Sequence, residues 1–114
     1  MKLENVFVVD IECTGLLPDL KSAEDLHILS AGWKNKQGEW QIKSTVDEKD
    51  IAKIFSNPDN TVVGHFFLGY DIRAIKKMFP HIEVKASIID TLSLSHYLYN
   101  GRPTHGLGSW GKDL

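Results

Sequence analysis

Residues 5–12, which read NVFVVDIE, constrain the fold more than any other part of this sequence. They form an apolar, largely β-branched run, and such a run is typical of a central strand that is buried on both faces. Residues i and i+2 of a strand point to the same face, so the carboxylates of Asp10 and Glu12 converge while Ile11 faces the opposite layer. We therefore expect a central strand that presents a pair of acids at its carboxyl end.

The remainder of the chain predicts two further strands and then helices and strands in alternation. The segments 27–33 and 39–44 are short strand candidates, and the polar connection KNKQG between them indicates an antiparallel hairpin. Residues 16–25 contain a proline and several polar residues and are expected to form a loop. The later predicted elements are a helix that begins at Asp47 and ends before residues 57–60, a strand over 61–65, a helix over 71–79, a strand over 84–89, a helix from 90 to about 99, and the start of a last helix within 105–114.

This order of elements predicts an α/β domain with a mixed sheet, in which a three-stranded antiparallel start is followed by parallel strands and helices flank the sheet. The length of 114 residues allows one compact domain over 1–114 and no second domain. With 42% hydrophobic and 25% charged residues, the composition is that of a globular protein rather than a disordered one.

Charge and cysteine content exclude several classes of protein. The 13 Lys and Arg residues stand against 15 Asp and Glu residues, which excludes a polybasic nucleic-acid coat but not an enzyme that meets nucleic acid through metal ions. A single cysteine, Cys13, excludes an intramolecular disulfide and a multi-cysteine zinc site. No segment approaches the ~20 apolar residues that span a bilayer, and Glu4 and Asp10 make the N-terminus a poor signal peptide. We therefore expect a cytoplasmic domain without a membrane segment.

Asp10, Glu12 and Asp71 are the candidate metal ligands. Two ionised carboxylates at the end of an apolar strand repel each other and are costly to desolvate, and a divalent cation removes that cost. Ligands that are all oxygen atoms suit Mg²⁺ or Mn²⁺. The alternatives are that Glu12 begins the following loop in solvent, and that Asp71 is a carboxylate placed favourably at the N-terminus of its helix.

Four segments resemble, in order, motifs of the proofreading 3'-5' exonucleases with a ribonuclease-H-like fold. Residues 10–16, DIECTGL, resemble the first exonuclease motif, DxExTG, and residues 63–71, VGHFFLGYD, resemble the second, in which a His-Asn pair precedes an aromatic-Asp pair. Residues 89–95, IDTLSLS, are similar to the DTL-type segment that follows, and residues 105–111, HGLGSWG, resemble the HxLxxWG segment that leads to the third motif. The set is most similar to the exonuclease domain of phage T7-like, family A DNA polymerases, and it touches nearly the whole chain.

The resemblance implies two-metal hydrolysis of the terminal phosphodiester bond of single-stranded DNA, with Mg²⁺ or Mn²⁺ as cofactor. Asp10 would bridge both ions, and Glu12 and Asp71 would supply the remaining protein oxygens. The contacts that the resemblance implies with the 3' end of the strand come from Thr14, Gly15, Leu16, His65, Phe66, Phe67 and Tyr70. For the aromatic rings among them, which could stack on bases, packing in the core is the alternative.

The sequence departs from the family pattern at two places. The position after His65 carries Phe66 where the family has Asn, so an apolar ring replaces a hydrogen-bonding amide. The family's third motif is an Asp with a Tyr or His four residues before it on the final helix, whereas Ser109 stands four residues before Asp113 here. We therefore expect the C-terminal helix, with the fourth carboxylate of the site, to be incomplete or missing. His105 is expected to cap the last helix or to pack at its start.

Asp90 is interpreted as the N-cap of the helix that follows it, or alternatively as an auxiliary acid that helps to position a metal-bound water. Three functional hypotheses remain open. The first is a DNA polymerase-associated 3'-5' exonuclease, and the second is a catalytically impaired nucleic-acid-binding or metal-binding module of the same fold. The third is one part of a split DNA polymerase, in which a polymerase body or another separate chain completes the site.

Overall fold

A computed structural model describes residues 2–65 and 67–113 of the chain. The strands of this part are β1 (Val6–Cys13), β2 (Leu26–Lys34), β3 (Trp40–Thr45), β4 (Thr61–Gly64) and β5 (Ser87–Asp90). The α-helices are α1 (Glu48–Phe55), α2 (Asp71–Met78), α3 (Thr91–Leu98) and α4 (Leu107–Asp113), and short 3-10 turns lie at Leu3–Asn5, Leu17–Asp19 and Ala23–Asp25. None of the helices in this part of the chain has the length and apolar character needed to cross a bilayer.

The strands form one five-stranded mixed sheet in the order β3-β2-β1-β4-β5. β1 is the central strand, and it pairs antiparallel with β2 and parallel with β4. The β2–β3 hairpin completes the antiparallel half, and β5 pairs parallel with β4. The predicted α/β class, the mixed sheet and the central position of the first strand are therefore confirmed.

Local sequence signals account for several element ends. The side chain of Asp47 caps α1 by accepting a hydrogen bond from a backbone amide two residues on (2.8 Å). In the hairpin turn, the Asn35 side chain accepts two backbone amides (3.0 and 2.9 Å), and Gly38 adopts a positive φ of 79° that favours glycine. The strand predicted over 84–89 lies instead at Ser87–Asp90, because the two backbone amides before it bond to the last residue of α1 (2.8 and 3.0 Å).

The hydrophobic core lies between one face of the sheet and helices α1 and α2. Both helices place apolar side chains at helical spacing toward this face, as their sequences predicted. The core side chains of the sheet are Val9, Ile11, Leu26, Leu29, Ala31 and Val62, and those of the two helices are Ile51, Phe55, Ile72, Ala74, Ile75 and Met78. Each large apolar side chain buried here stabilises the fold by about 1.5–3 kcal/mol. The core therefore fixes both helices beneath the sheet.

The opposite face of the sheet is largely open. The register across the first three strands brings Val8 of β1 into one row with Ile42 of β3, and these side chains are 48% and 80% exposed. The prediction that β1 is buried on both faces is therefore wrong, since the strand is buried only on the side of Val9 and Ile11. The physical reason is that both amphipathic helices pack on one side. On the other side of the sheet, Leu107 at the start of α4 lines a cavity together with Val8. The row of side chains from Val8 to Ile42 remains exposed.

Candidate functional site

The carboxyl end of β1 lies beside an open stretch of its own backbone. β1 pairs with β2 as far as Cys13, whereas its pairing with β4 ends at Val8. Past Val8, within the described residues, the side of β1 that faces β4 has no strand partner. The carboxyl of Asp71, the first residue of α2, hydrogen-bonds to the backbone of Ile11. The Asp71 carboxyl thus bonds to backbone of β1 that would pair with β4 if that strand were longer.

The two acids at the end of β1 share one face of the strand. Asp10 and Glu12 are exposed, and Ile11 between them is buried in the core. The alternation predicted from the sequence is therefore confirmed. Both carboxylates lie on the open face of the sheet, where a ligand can reach them from solvent.

Asp71 is a buried carboxyl beside a second acid. Burial raises the pKa of Asp71 to about 7, and the negative charge of Asp10 adds to the rise. Hydrogen bonds with the backbone of Ile11 and of Asp71 itself act to lower this pKa, and the charge of Asp90 raises it slightly further. At neutral pH the carboxyl is therefore only partly ionised unless a positive charge approaches it.

Asp10 and Asp71 are the two carboxylates that could hold a hard divalent cation such as Mg²⁺ or Mn²⁺, because such a cation would offset the repulsion that adds to the effect of burial on the pKa of Asp71. Within residues 2–65 and 67–113, no group of three or more His, Cys, Asp or Glu side chains is arranged to hold a metal ion. Glu12 is exposed, and its charge is not among the causes of the raised pKa of Asp71. The structure thus brings together two of the three carboxylates that the sequence singled out.

Both carboxylate oxygens of Asp90 accept hydrogen bonds from backbone amides. Oδ1 accepts a hydrogen bond from the Leu92 amide and Oδ2 accepts one from the Leu68 amide, each at 2.9 Å. The first bond confirms that Asp90 caps α3. The second holds the loop that precedes α2 against the start of α3. Asp90 therefore contributes to the position of Asp71 through the backbone between them.

The loop between β4 and α2 packs its aromatic residue Phe67 into the core. Phe67 is fully buried, and its ring stacks on that of Phe55 with the centroids 6.1 Å apart. The ring lies directly over Gly64, where an added Cβ would come within 2.2 Å of it. Core packing, the alternative to base stacking, is thus what this ring does in the structure. Phe66, its neighbour, lies outside the described residues.

The turn after β1 is fixed by two side-chain hydrogen bonds. The Thr14 hydroxyl lies 2.6 Å from Nε2 of His27, and the Tyr70 hydroxyl donates to the carbonyl of Gly15 at 3.1 Å. Gly15 adopts a φ of 81°, which a residue with a side chain rarely takes. Leu16 follows and is highly exposed. The turn is therefore rigid at its base and presents an apolar side chain at its tip.

His65 follows β4 at the same end of the sheet. Its Nδ1 lies 2.8 Å from the Thr91 hydroxyl, and this hydroxyl donates to the carbonyl of Gly64 at 3.2 Å. Because the hydroxyl carries a single proton, we assign the hydrogen of the imidazole to Nδ1 and leave Nε2 as an acceptor. His65 and Asp10 line the same cavity, which has a volume of about 380 Å³.

His27 and Thr91 are site residues that the sequence did not reveal. Each lies far along the chain from its partner, by 13 residues for His27 and Thr14 and by 26 residues for Thr91 and His65. The pairing of β1 with β2 brings the first pair together, and the pairing of β4 with β5 brings the second. Strand register is therefore the signal that could have found them.

Comparison with protein-family models, with curated proteins and with solved structures finds no match to this chain.

Proposed function

We propose that this chain is a metal-dependent 3'-5' exonuclease with a ribonuclease-H-like fold, which hydrolyses the terminal phosphodiester bond of single-stranded DNA. The observation that carries the proposal is the buried Asp71 carboxyl beside Asp10, at the carboxyl end of the central strand. A carboxyl whose pKa is raised by burial and by a like charge is typical of a functional site, since folding alone gains nothing from that arrangement.

The order of the elements supports the same proposal. The first motif-like segment lies at the end of β1, the second runs from β4 into α2, and the third covers the end of β5 and the start of α3. β1, β4 and β5 are parallel, so their carboxyl ends meet at one edge of the sheet. Ligands of open α/β sheets bind at this edge. Segments that are distant in the sequence are thus close to one another at the edge where such a site belongs.

Asp10 and Asp71 would hold the divalent cation. When bound, the cation activates water as a nucleophile and neutralises charge on the phosphate. The chain itself fixes one of these carboxyls through the backbone of Ile11 and fixes the turn after β1 through Tyr70. The exposed Leu16 at the tip of that turn offers an apolar contact for the terminal base.

The test is cleavage of a 3'-labelled single-stranded oligonucleotide in the presence of Mn²⁺. Asp10→Asn and Asp71→Asn should each lower the rate by about 100-fold, because each removes a charge from the site without changing its shape. Asp59→Asn is the matched control, since it removes an exposed carboxylate at the opposite end of β4. Equal rates for the wild-type protein and for both site variants would contradict the proposal.

A second candidate is a nucleic-acid-binding or metal-binding module without turnover. It is favoured by the finding that no group of three ligands is arranged for a metal ion in the part of the chain that the structure describes. Calorimetric titration with Mn²⁺, taken together with the cleavage assay, separates the two candidates. Binding that depends on Asp10 and Asp71, in a protein that does not cleave, would identify the module. A separate chain, such as a polymerase body, that restores cleavage on mixing would identify one part of a split enzyme.

A further inference from the structure

The turn between α3 and α4 contains an Asn-Gly pair. The amide of Arg102 donates a hydrogen bond to the carbonyl of Tyr99 at 2.9 Å, which is the bond that closes a β-turn. Asn100 and Gly101 are the two central residues of this turn, and both are exposed. We call residues 99–102 the α3–α4 turn. The peptide bond that joins Asn100 to Gly101 therefore lies at the surface.

Two groups that can react with each other are free in this turn. Within the residues that the structure describes, neither the Asn100 side chain nor the Gly101 amide forms a hydrogen bond with the protein. Gly101 has no side chain to hinder its nitrogen, and beyond its chain neighbours no atom lies within 4 Å of the place where a Cβ would stand. The nitrogen of Gly101 can therefore reach the side-chain carbonyl carbon of Asn100 once that side chain turns toward it.

The other four asparagines of the chain each lack one of these conditions. Oδ1 of Asn35 accepts two backbone amides, at 3.0 and 2.9 Å, and Nδ2 of the buried Asn60 donates to two carbonyls, at 3.2 and 3.0 Å. Asn5 is followed by the β-branched Val6, whose bulk hinders its own amide, and Asn57 is followed by a proline, which has no amide hydrogen. Asn100 is therefore set apart by its turn and by the residue that follows it.

The reaction open to these two groups is deamidation through a cyclic imide. The Gly101 nitrogen bonds to Cγ of Asn100, the bond from Cγ to Nδ2 breaks, and the displaced amide leaves as ammonia with the proton of the Gly101 amide. Water then opens the imide at either carbonyl carbon. Opening at Cγ leaves an aspartyl residue, whereas opening at the backbone carbonyl carbon leaves an isoaspartyl residue whose chain runs through Cβ. Water is the only co-reactant, and a carboxylate replaces the amide.

Both ends of the α3–α4 turn contact Trp110 of α4. The Tyr99 ring packs edge-on against the Trp110 ring with the centroids 5.1 Å apart, and the Arg102 guanidinium lies 3.9 Å from the centroid of the same ring. The indole N–H of Trp110 donates to the Ser95 hydroxyl of α3 at 2.8 Å. The spacing of Tyr99 and Arg102 therefore helps to fix α4 on α3.

An isoaspartyl residue at position 100 would change that spacing. It adds a methylene to the backbone between Tyr99 and Arg102, so the bond that closes the turn cannot keep its geometry. Both products also place a carboxylate just beyond the carboxyl end of α3, where a negative charge is unfavourable. Because Leu107 of α4 lines the cavity that contains Asp10, movement of α4 would change a wall of that cavity.

We propose that Asn100 is a site of spontaneous deamidation and that its isoaspartyl product loosens the docking of α4. The proposal does not depend on the exonuclease activity, since it concerns the α3–α4 turn and not the carboxylates of the site. The chain would thus exist in an intact form and in an aged form, whose formal charge of −2 becomes more negative by one unit.

The test is incubation of the folded full chain in mildly alkaline buffer, followed by peptide mapping with mass spectrometry. A gain of one mass unit should accumulate at Asn100 before it is detected at the other four asparagines. An isoaspartyl methyltransferase with a labelled methyl donor measures the isoaspartyl product. The free peptide of residues 97–104 gives the rate without the fold, and the folded chain should react within about ten-fold of it.

Gly101→Ala should slow the reaction roughly ten-fold, because its methyl group hinders the attacking nitrogen. This variant should fold, since the site has room for a Cβ and Gly101 does not adopt a positive φ. Gly106→Ala is the matched control, because the same two conditions hold there and the rate should not change. Asn100→Gln is the unreactive control, since its longer side chain would have to close a larger ring.

Anion exchange separates the intact form from the aged form, and amide hydrogen exchange at one pH then compares residues 104–112 in each. Protection of this segment should fall roughly ten-fold in the aged form, whereas that of β1 should not change. Asn100→Asp carries the charge without the longer backbone and should show a smaller loss.

Three outcomes would overturn the proposal. The first is no mass gain at Asn100 under conditions in which the free peptide reacts. The second is an equal rate of ammonia release in the wild-type protein and in Gly101→Ala. The third is the same protection of residues 104–112 in the intact and aged forms, since α4 would then be indifferent to the chemistry of the α3–α4 turn.

Discussion

Asp71 is a buried carboxyl whose raised pKa contributes to the pH dependence of the stability of this fold. Burial and the charge of Asp10 raise its pKa from the ordinary 3.8 to about 7. Between these two pH values the unfolded chain has lost the proton that the folded protein still holds, so the free energy of unfolding falls as the pH rises through this window. Above about pH 7 the Asp71 carboxyl is ionised in both the folded and the unfolded protein, so it lowers the free energy of unfolding no further.

Asp71→Asn should therefore stabilise the metal-free protein at pH 8 while it lowers the proposed activity by about 100-fold. The amide keeps the shape of the carboxylate and has no charge to desolvate, so the free energy of unfolding should rise by about 1–2 kcal/mol after allowance for solvent screening. Urea denaturation in EDTA measures the change. At pH 4 wild type and variant should unfold at the same urea concentration. A variant that is less stable than wild type at pH 8 would contradict the argument.

Gly64→Ala should destabilise the fold by about 2–3 kcal/mol, because the new Cβ would come within 2.2 Å of the Phe67 ring in a packed core. Gly101→Ala is the matched control, since no atom lies within 4 Å of its added Cβ. Thermal or urea unfolding compares the two variants. Equal stabilities would mean that the Phe67 ring can move away from Gly64 at little cost.

Predictions for single residues were confirmed where they depend only on the local backbone geometry. The period of a strand places Asp10 and Glu12 on one face, and the start of a helix makes Asp90 its cap. The relation of Glu12 to Asp71 depends instead on where β4 stops and on how α2 is seated. The local sequence predicts neither of these features. It therefore identified the candidate acids but did not predict which of their carboxyls lie close together.

Among the elements, α3 and α4 are joined by contacts that depend on an uncharged His105. Its ring stacks on that of His96 with the centroids 3.7 Å apart, and its Nδ1 hydrogen-bonds to Ser95. Burial lowers the pKa of His105 below the ordinary 6.5, and the charge of His96 lowers it further. As the pH falls below 6.5, the unfolded segment binds a proton before the docked one does, so docking of α4 weakens.

Acidification from pH 7.5 to pH 5.5 should therefore release the segment that contains α4 before the sheet unfolds. Amide hydrogen exchange over residues 104–112, corrected for the intrinsic effect of pH, should show the loss of protection. His96→Gln removes the neighbouring charge and should reduce the loss. The same protection at both pH values in the wild-type protein would show that the stacked pair does not govern docking.

Element boundaries were predictable for α1, which a side chain caps, and for α2, which apolar periodicity and the following Pro80 define without a side-chain cap. The segment 16–25 was predicted only as a loop, and its 3-10 turns are held both by local side chains, since Asp19 and Asp25 accept backbone amides three or four residues before them, and by a contact with a distant helix. Lys77 of α2 donates a hydrogen bond to the carbonyl of Leu17, which lies 60 residues away in the sequence. The proline and polar residues of this segment indicate a loop, and the structure shows that two of the polar residues, Asp19 and Asp25, bond back to the local backbone.

At the scale of the whole molecule, the sheet is covered on one side and open on the other. Ile42→Thr, on the open face, should change the free energy of unfolding by about 0.5 kcal/mol or less. Val62→Thr, on the covered face, buries a hydroxyl and should cost about 1–3 kcal/mol. Urea denaturation measures both variants. A large loss for Ile42→Thr would show that something covers this face in solution.

The open sheet also gives the molecule an unusual shape. Its principal extents are 40 × 39 × 21 Å, and its radius of gyration is 14.6 Å, against about 13 Å for a compact domain of this length. A slab keeps more of its apolar surface in water than a sphere does, so unfolding exposes less new surface. The heat-capacity change of unfolding should therefore lie below the usual ~12–15 cal/mol/K per residue. Calorimetry should find that the free energy of unfolding has a low maximum, varies little with temperature and falls little on cooling.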